Sequence, residues 1–80
     1  MHSNLAPMEG SFWTRPSPDM PCFITSQQNV TVGQTVGLVE IMKTFTPIRS
    51  TIAGQFVEWI VNDGDPISSQ QVLGWVKNSV

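Results

Sequence analysis

The stretch Val36–Val39, which reads Val-Gly-Leu-Val, returns 37 positions later at Leu73–Val76 as Leu-Gly-Trp-Val. The same offset places Gln34 on Gln71. Short runs of β-branched and aliphatic residues are typical of strands. Two similar strand segments at one offset in a small chain indicate an internal repeat. They predict two halves packed face to face about a pseudo-twofold axis.

Strands are also predicted on either side of this repeat. Turn residues separate the apolar runs, above all at Asn62–Pro66, where Asp-Gly supplies positive φ and proline ends the pairing. No window has a sustained period of 3.6 residues with helix caps, so almost no helix is expected. The predicted fold class is therefore an all-β sandwich or barrel. The strand candidates are Gly10–Thr14, Val36–Ile41, Gln55–Val61 and Val72–Val76.

Composition limits the classes of function that the chain can have. Its 80 residues are enough for one small domain, and a net charge of −2 with four basic residues gives no phosphate-binding surface. No apolar run approaches the roughly 20 residues that span a bilayer, and the first ten residues do not have the pattern of a signal peptide. Neither nucleic acid nor a membrane is therefore an expected partner. Cys22 is the only cysteine, which excludes an internal disulfide and fits a reducing compartment such as the cytoplasm.

Most catalytic and metal-binding arrangements lack the residues that they need. His2 is the sole histidine, so a catalytic triad has no placed base and a zinc site has too few ligands. Asp63 and Asp65 are interpreted as turn residues, and Cys22 as a small packed residue. No catalytic residue and no metal ligand is therefore predicted. The aromatic residues of the strand candidates are interpreted as core or edge packing, and they are Trp13, Trp59, Trp75, Phe45 and Phe56.

The pair Met42-Lys43 stands where one predicted strand ends and another begins. Two-residue hairpin turns favour Asn-Gly or glycine-rich pairs because their central residues need positive φ, so Met-Lys is an unfavourable pair at this place. Lys43 is one of only two lysines, the other being Lys77. A single ammonium at a turn is a good site for covalent modification, although a solvated turn lysine explains it equally well. The 37-residue offset places Lys43 on Val80, which predicts that the two lie at opposite ends of the domain.

The segment Val39–Lys43, Val-Glu-Ile-Met-Lys, resembles the attachment sequence of biotinyl domains, in which the lysine of a Met-Lys pair receives biotin. Arg15–Asp19 resembles the protruding thumb loop of biotin carboxyl carriers of the acetyl-CoA carboxylase type. The sequence departs from the family pattern where Ile41 and Thr44 replace Ala and Met around the Met-Lys pair, and where Thr14-Arg15 replaces Arg-Thr. The resemblance runs from Ala6 to Val76, and its other segments are Ala6–Trp13, Val30–Val36, Gly54 and Asn62–Ile67.

This resemblance implies a fold, a cofactor and a set of partners. The implied fold is a flattened β-barrel or sandwich of two four-stranded antiparallel sheets with quasi-twofold symmetry. The implied cofactor is biotin on Lys43, attached by a biotin protein ligase. It shuttles CO2 from a biotin carboxylase to a carboxyltransferase, as in the acetyl-CoA carboxylase of fatty acid synthesis, and the chain itself is a non-catalytic carrier. The residues implied in the attachment motif are Glu40, Ile41, Met42 and Thr44, and those implied in the thumb are Arg15, Pro16, Ser17, Pro18 and Asp19.

Two alternatives remain open on these residues. A lipoyl carrier domain of a 2-oxoacid dehydrogenase has the same fold, but it usually has Asp before the modified lysine, where this chain has Met42. An unmodified β-sandwich interaction module explains the strand pattern without a prosthetic group. The expected limits are a flexible lead-in over residues 1–8, the biotinyl domain over 9–77 with its thumb-like loop at 15–21, and a tail over 78–80.

Overall fold

Eight β-strands form the fold of residues 1–78, the part of the chain that the computed structural model describes. No helix occurs among these residues, and so none with the length and apolar character that a bilayer crossing requires. The near absence of helix predicted from the sequence is thus confirmed for this range. The strands are β1 (His2–Leu5), β2 (Gly10–Trp13), β3 (Asn29–Val30), β4 (Thr35–Ile41), β5 (Thr44–Arg49), β6 (Gly54–Trp59), β7 (Pro66–Ile67) and β8 (Val72–Asn78).

The strands form two four-stranded antiparallel sheets, in the orders β1-β8-β6-β3 and β5-β4-β2-β7. A pseudo-twofold axis exchanges β4 with β8, β2 with β6, β3 with β7 and β5 with β1. Both limits of β3 and of β4 lie 37 positions before those of β7 and β8. The predicted repeat and fold class are therefore confirmed. The two sheets remain separate and pack as a flattened sandwich rather than a closed barrel.

Alternate residues of the strands fill the space between the two sheets. Phe12 of β2 packs edge-on against Trp59 of β6, with ring centroids 4.9 Å apart, and this contact joins the two halves. Phe56 lies 5.0 Å from the same tryptophan. Burial of these apolar side chains is the main term that holds the sheets together. The fully buried residues that surround them include Val30, Val36, Val39, Ile48, Leu73 and Val76.

Four turns of the same design extend the repeat beyond the strands. In each, the side-chain oxygen of the fourth residue accepts a hydrogen bond from the backbone N–H of the first, at 2.8–3.1 Å. The third residue is always left-handed, with φ between 68° and 86°. The 37-residue offset maps the first two turns onto the last two. The turns are Thr25–Gln28, Thr31–Gln34, Asn62–Asp65 and Ser68–Gln71.

The expectation of a flexible lead-in over residues 1–8 is wrong for residues 2–5. These residues form β1, which pairs with β8 from His2 opposite Val76 to Leu5 opposite Val72. Only Asn4 of this strand is buried, so the segment lacks the apolar alternation that would predict a strand. Backbone hydrogen bonds hold the pairing instead. The predicted domain limits of 9–77 therefore leave out one strand of the sandwich. The predicted tail over 78–80 is wrong at Asn78, which is the last residue of β8, and residues 79 and 80 lie outside the described range.

Lys43 and the end of β8 lie at opposite ends of the sandwich. Strand β5 starts beside Lys43 and runs for six residues to Arg49, a span of roughly 17 Å. Gly54 begins β6 a few residues later and pairs with Asn78. Asn78 is therefore remote from Lys43. The corresponding prediction for Val80 itself lies outside the described residues.

Candidate functional site

The hairpin formed by β4 and β5 ends in a two-residue turn at Met42-Lys43, closed by the pair Ile41 and Thr44. Both central residues are left-handed, with φ of 49° for Met42 and 65° for Lys43, as a type I′ turn requires. Non-glycine residues in this region cost roughly 1–2 kcal/mol each. The predicted turn is confirmed, and the chain keeps a strained pair of residues at its tip.

The same turn projects both side chains away from the sandwich. Met42 is 92% exposed, the largest exposure of any large apolar side chain in the described range. Lys43 is also exposed, and it makes no hydrogen bond or ion pair with any residue from 1 to 78. An exposed thioether next to an unpaired primary amine, both fixed by a strand ladder behind them, is a suitable surface for recognition and modification by another protein.

Replacing Met42 with glycine is expected to raise the free energy of unfolding by about 0.5–1 kcal/mol, because glycine adopts positive φ without the Cβ clash. Thr44→Gly provides the matched control on the same hairpin. It lies in a strand, where glycine is expected to lower stability by about 0.5–1 kcal/mol. Urea denaturation of both variants measures the difference. Equal losses of stability in the two variants would show that the turn stores no strain.

A cleft of about 260 Å³ lies beside this hairpin, between the loop at 15–21 and the outer face of the β5-β4-β2 part of the sheet. Glu40 and Phe45 form its wall near the turn, and they face each other across β4 and β5. The indole Nε1–H of Trp13 donates a hydrogen bond of 3.0 Å to Oε1 of Glu40. The other lining residues are Arg15, Pro16, Ser17, Pro18 and Asp63.

The structure thus brings one attachment-motif residue, Glu40, to the same cleft as four of the five thumb residues. Asp19 is exposed and does not line the cleft, and neither do Ile41 and Thr44. Phe45 is half exposed on the outer face of the edge strand β5, so it packs at the edge of the sheet and not in the core. Its exposure follows from strand alternation, since its neighbour Thr46 faces inward opposite the buried Val39.

Asp63 anchors the start of the thumb-like loop. Its carboxylate accepts hydrogen bonds from the backbone N–H of Thr14 at 2.6 Å and from the Thr14 hydroxyl at 3.0 Å. The backbone N–H of Phe23 donates to the carbonyl of Thr14 at 2.9 Å and closes the loop at its base. The predicted turn at Asn62–Asp65 is confirmed, but this second role of Asp63 was missed. It joins residues 49 positions apart, and nothing in the local sequence signals it.

Arg15 stabilises the loop through hydrogen bonds to residues later in the same segment. Its guanidinium donates to the carbonyl of Met20 at 3.4 Å and to Sγ of Cys22 at 3.2 Å. Cys22 is half-buried and also donates to the hydroxyl of Thr14 at 3.7 Å. The prolines fix φ along the same segment. Side-chain contacts and stiff backbone therefore act together to hold the loop beside the cleft.

A small β-sandwich that presents one exposed lysine on a strained hairpin turn, with a cleft next to it, has the architecture of a carrier domain for a covalently attached group. The chain belongs to the biotin/lipoyl family, since the family model described as "Biotin-requiring enzyme" matches residues 5–76.

Curated relatives agree with this family. The chain is 33% identical over 72 residues to the biotin carboxyl carrier protein of acetyl-CoA carboxylase from Nostoc sp., a match that covers 90% of this chain and 40% of that protein. The protein of the same name from Haemophilus influenzae is also 33% identical over 72 residues, with coverage of 90% and 46%. The chloroplastic biotin carboxyl carrier protein of acetyl-CoA carboxylase 1 from Arabidopsis thaliana is 38% identical over 63 residues. That match covers 79% of this chain and 22% of the relative. The chain spans less than half the length of each of these relatives.

Proposed function

We propose that this chain is the biotin-bearing domain of a biotin carboxyl carrier, with biotin joined through an amide bond to Nζ of Lys43. The observation that carries the proposal is the position of Lys43, exposed and unpaired in the described residues, at the type I′ turn of the β4–β5 hairpin. The names of the relatives place such carriers in acetyl-CoA carboxylase. Lys77 is exposed too, but it lies within β8 rather than at a turn.

The residues around Lys43 fit a biotinyl group. Amide formation needs an accessible amine, which the exposed turn provides. The neighbouring cleft offers apolar surface from Trp13 and Phe45, a hydrogen-bond donor from Arg15 and an acceptor from Glu40. A ring with a polar ureido edge and an apolar thioether edge requires such a mixed lining. The proposed role of Arg15–Asp19 is accordingly that of a thumb beside the attached ring.

In the proposed function the chain positions the group and leaves the chemistry to its partners. Biotin supplies a nitrogen that accepts and releases a carboxyl group. The domain holds Lys43 on a rigid turn, which keeps the arm within reach of a biotin carboxylase and then of a carboxyltransferase and raises its effective concentration at both. Conversion of the ammonium to an amide removes the charge of Lys43, so a neutral arm enters each site. The proposed location is the cytoplasm, and the single cysteine supports it because a chain without disulfides suits a reducing compartment.

Recognition by the biotin protein ligase is assigned to the residues that flank Lys43 on the hairpin. Met42 and Thr44 are exposed, whereas Glu40 and Ile41 are half-buried with part of each side chain accessible. A ligase that reads this surface meets an apolar thioether immediately before the lysine. A lipoyl ligase that reads a carboxylate at that position finds none, which favours biotin over lipoate as the attached group.

Supplied with both a biotin ligase and a lipoyl ligase and both cofactors, the chain is expected to take up biotin, with lipoate at trace level. Intact-protein mass spectrometry distinguishes the two products. Met42→Asp is the informative variant, because it introduces a carboxylate immediately before Lys43 and should weaken biotinylation without disturbing the core. Preferential lipoylation of the unchanged chain would overturn the proposed function and leave the fold intact. Uptake of neither group would favour an unmodified interaction module.

A further inference from the structure

The hydrogen bond between Trp13 and Glu40 connects β2 and β4 on the outer face of the sheet. Trp13 lies opposite Leu38, so Glu40 is its diagonal neighbour two residues along β4. Diagonal pairs lie about 7–8 Å apart, a distance that an aromatic side chain can cross. The indole reaches Oε1 of Glu40 at 3.0 Å in a partly buried setting. The contact is therefore a consequence of register, and it holds the carboxylate three residues before Lys43.

This contact limits the positions that the Glu40 carboxylate can occupy. Oε1 is bound by the indole, while Oε2 makes no hydrogen bond with any residue of the described range 1–78. A glutamate on a strand surface otherwise samples several rotamers. Glu40 thus presents one oxygen, in a fixed place, on the surface beside the attachment lysine.

We propose that Trp13 is a positioning residue for modification of Lys43, because it holds Glu40 in the orientation that the biotin ligase reads. This rests on the proposed function, in which a ligase docks on Glu40–Thr44. The ligase surface that fits is one with a cation or an N–H donor facing Oε2. Immobilising a flexible side chain on binding costs an amount that corresponds to about threefold to tenfold in affinity, and the indole removes that cost in advance.

The test is a double-mutant cycle of Trp13→Phe and Glu40→Ala, read as steady-state biotinylation by a biotin ligase. Trp13→Phe keeps an aromatic wall and removes the donor. It is expected to raise KM about threefold to tenfold and leave kcat unchanged, since Lys43 itself is not altered. In the Glu40→Ala background the same substitution is expected to have no further effect. Trp75→Phe is the matched control on the opposite sheet, and it should leave both constants unchanged.

A spectroscopic measurement separates positioning from a general structural role. The indole N–H resonance of Trp13 is assigned by its loss in Trp13→Phe. It should shift in Glu40→Ala and stay in place in Glu58→Ala, a matched removal of an exposed carboxylate on β6.

The inference is supported if Trp13→Phe raises KM in the chain that keeps Glu40 but not in the Glu40→Ala variant, and if the indole resonance shifts in Glu40→Ala. An equal effect of Trp13→Phe in both backgrounds, an effect on kcat alone, or no effect of Glu40→Ala would overturn it, while biotin found on Lys43 would keep the proposed function. A chain that takes up no biotin at all overturns both.

Discussion

Lys43→Arg is expected to abolish biotin incorporation, whereas Lys77→Arg is expected to leave it unchanged. Arginine keeps the positive charge and most of the side chain, but its guanidinium stays protonated and does not provide the free amine that amide formation needs. The fold should survive, because an exposed turn position contributes little core packing. Co-expression with a biotin ligase, followed by intact-mass measurement and sequencing of the modified peptide, gives the result.

Lys77 is a demanding control for this experiment because it is the only other lysine and it is also exposed. The 37-residue repeat maps it onto Glu40, so it occupies a strand position in the opposite sheet rather than a turn. Thermal unfolding of both variants checks that the sandwich is intact. Biotin retained by Lys43→Arg, or recovered chiefly on the peptide that contains Lys77, would show that the attachment site is misassigned.

Gly54→Ala is expected to lower the free energy of unfolding by about 3 kcal/mol, the upper range for overpacking a well-packed interior. A Cβ at this position would overlap the backbone carbonyl oxygen of Lys77, and it would also press on Cγ1 of Val76 at 3.1 Å. A backbone oxygen cannot rotate away as a flexible side chain can. The whole β6–β8 pairing, in which Gly54 faces Asn78, must shift instead. In a domain of this size the loss corresponds to a fall of roughly 12–24 °C in Tm.

Gly33→Ala separates this steric effect from the general loss of a glycine. No atom lies within 4 Å of a Cβ built at Gly33, but its φ is +84°. The expected loss is therefore about 1 kcal/mol, from backbone conformation alone. Gln70 occupies the equivalent place in the other half with φ of 68°, which shows that the turn accepts a side chain. Calorimetry that found equal losses in the two variants would contradict the steric argument for Gly54.

The fold was predictable where apolar residues alternate or repeat. The candidates Val36–Ile41 and Val72–Val76 lie wholly within β4 and β8, because their inward residues must be apolar to fill the core. Strand β1 was not predictable in this way. Its pairing rests on backbone hydrogen bonds to β8, and its one buried side chain, Asn4, is polar.

The same distinction applies to the candidate site, where the local turn was predictable and the long-range contacts were not. The Met42-Lys43 turn was predictable because a hairpin is a local structure whose geometry depends on the residues in it. The Trp13–Glu40 bond and the Thr14–Asp63 anchor join residues 27 and 49 positions apart. They depend on which residues the strand register and the turns bring together, and no local pattern encodes that. Trp13 was consequently interpreted as packing alone, whereas its indole nitrogen binds Glu40.

Lys43 is separated from the first residues of β1 and the last residues of β8, so rotation of the whole domain about that end would move the lysine. The first residues of β1 lie beside the last residues of β8, with His2 opposite Val76, and both are remote from the Met42-Lys43 turn. The molecule extends 39 Å along its long axis. A tether joined at that end would act as a pivot, and rotation of the rigid sandwich about it would carry the lysine along an arc whose radius is the distance from the pivot to the turn. In the proposed function, rotation of the domain would then let Lys43 reach two partner sites that are too far apart for the lysine arm alone.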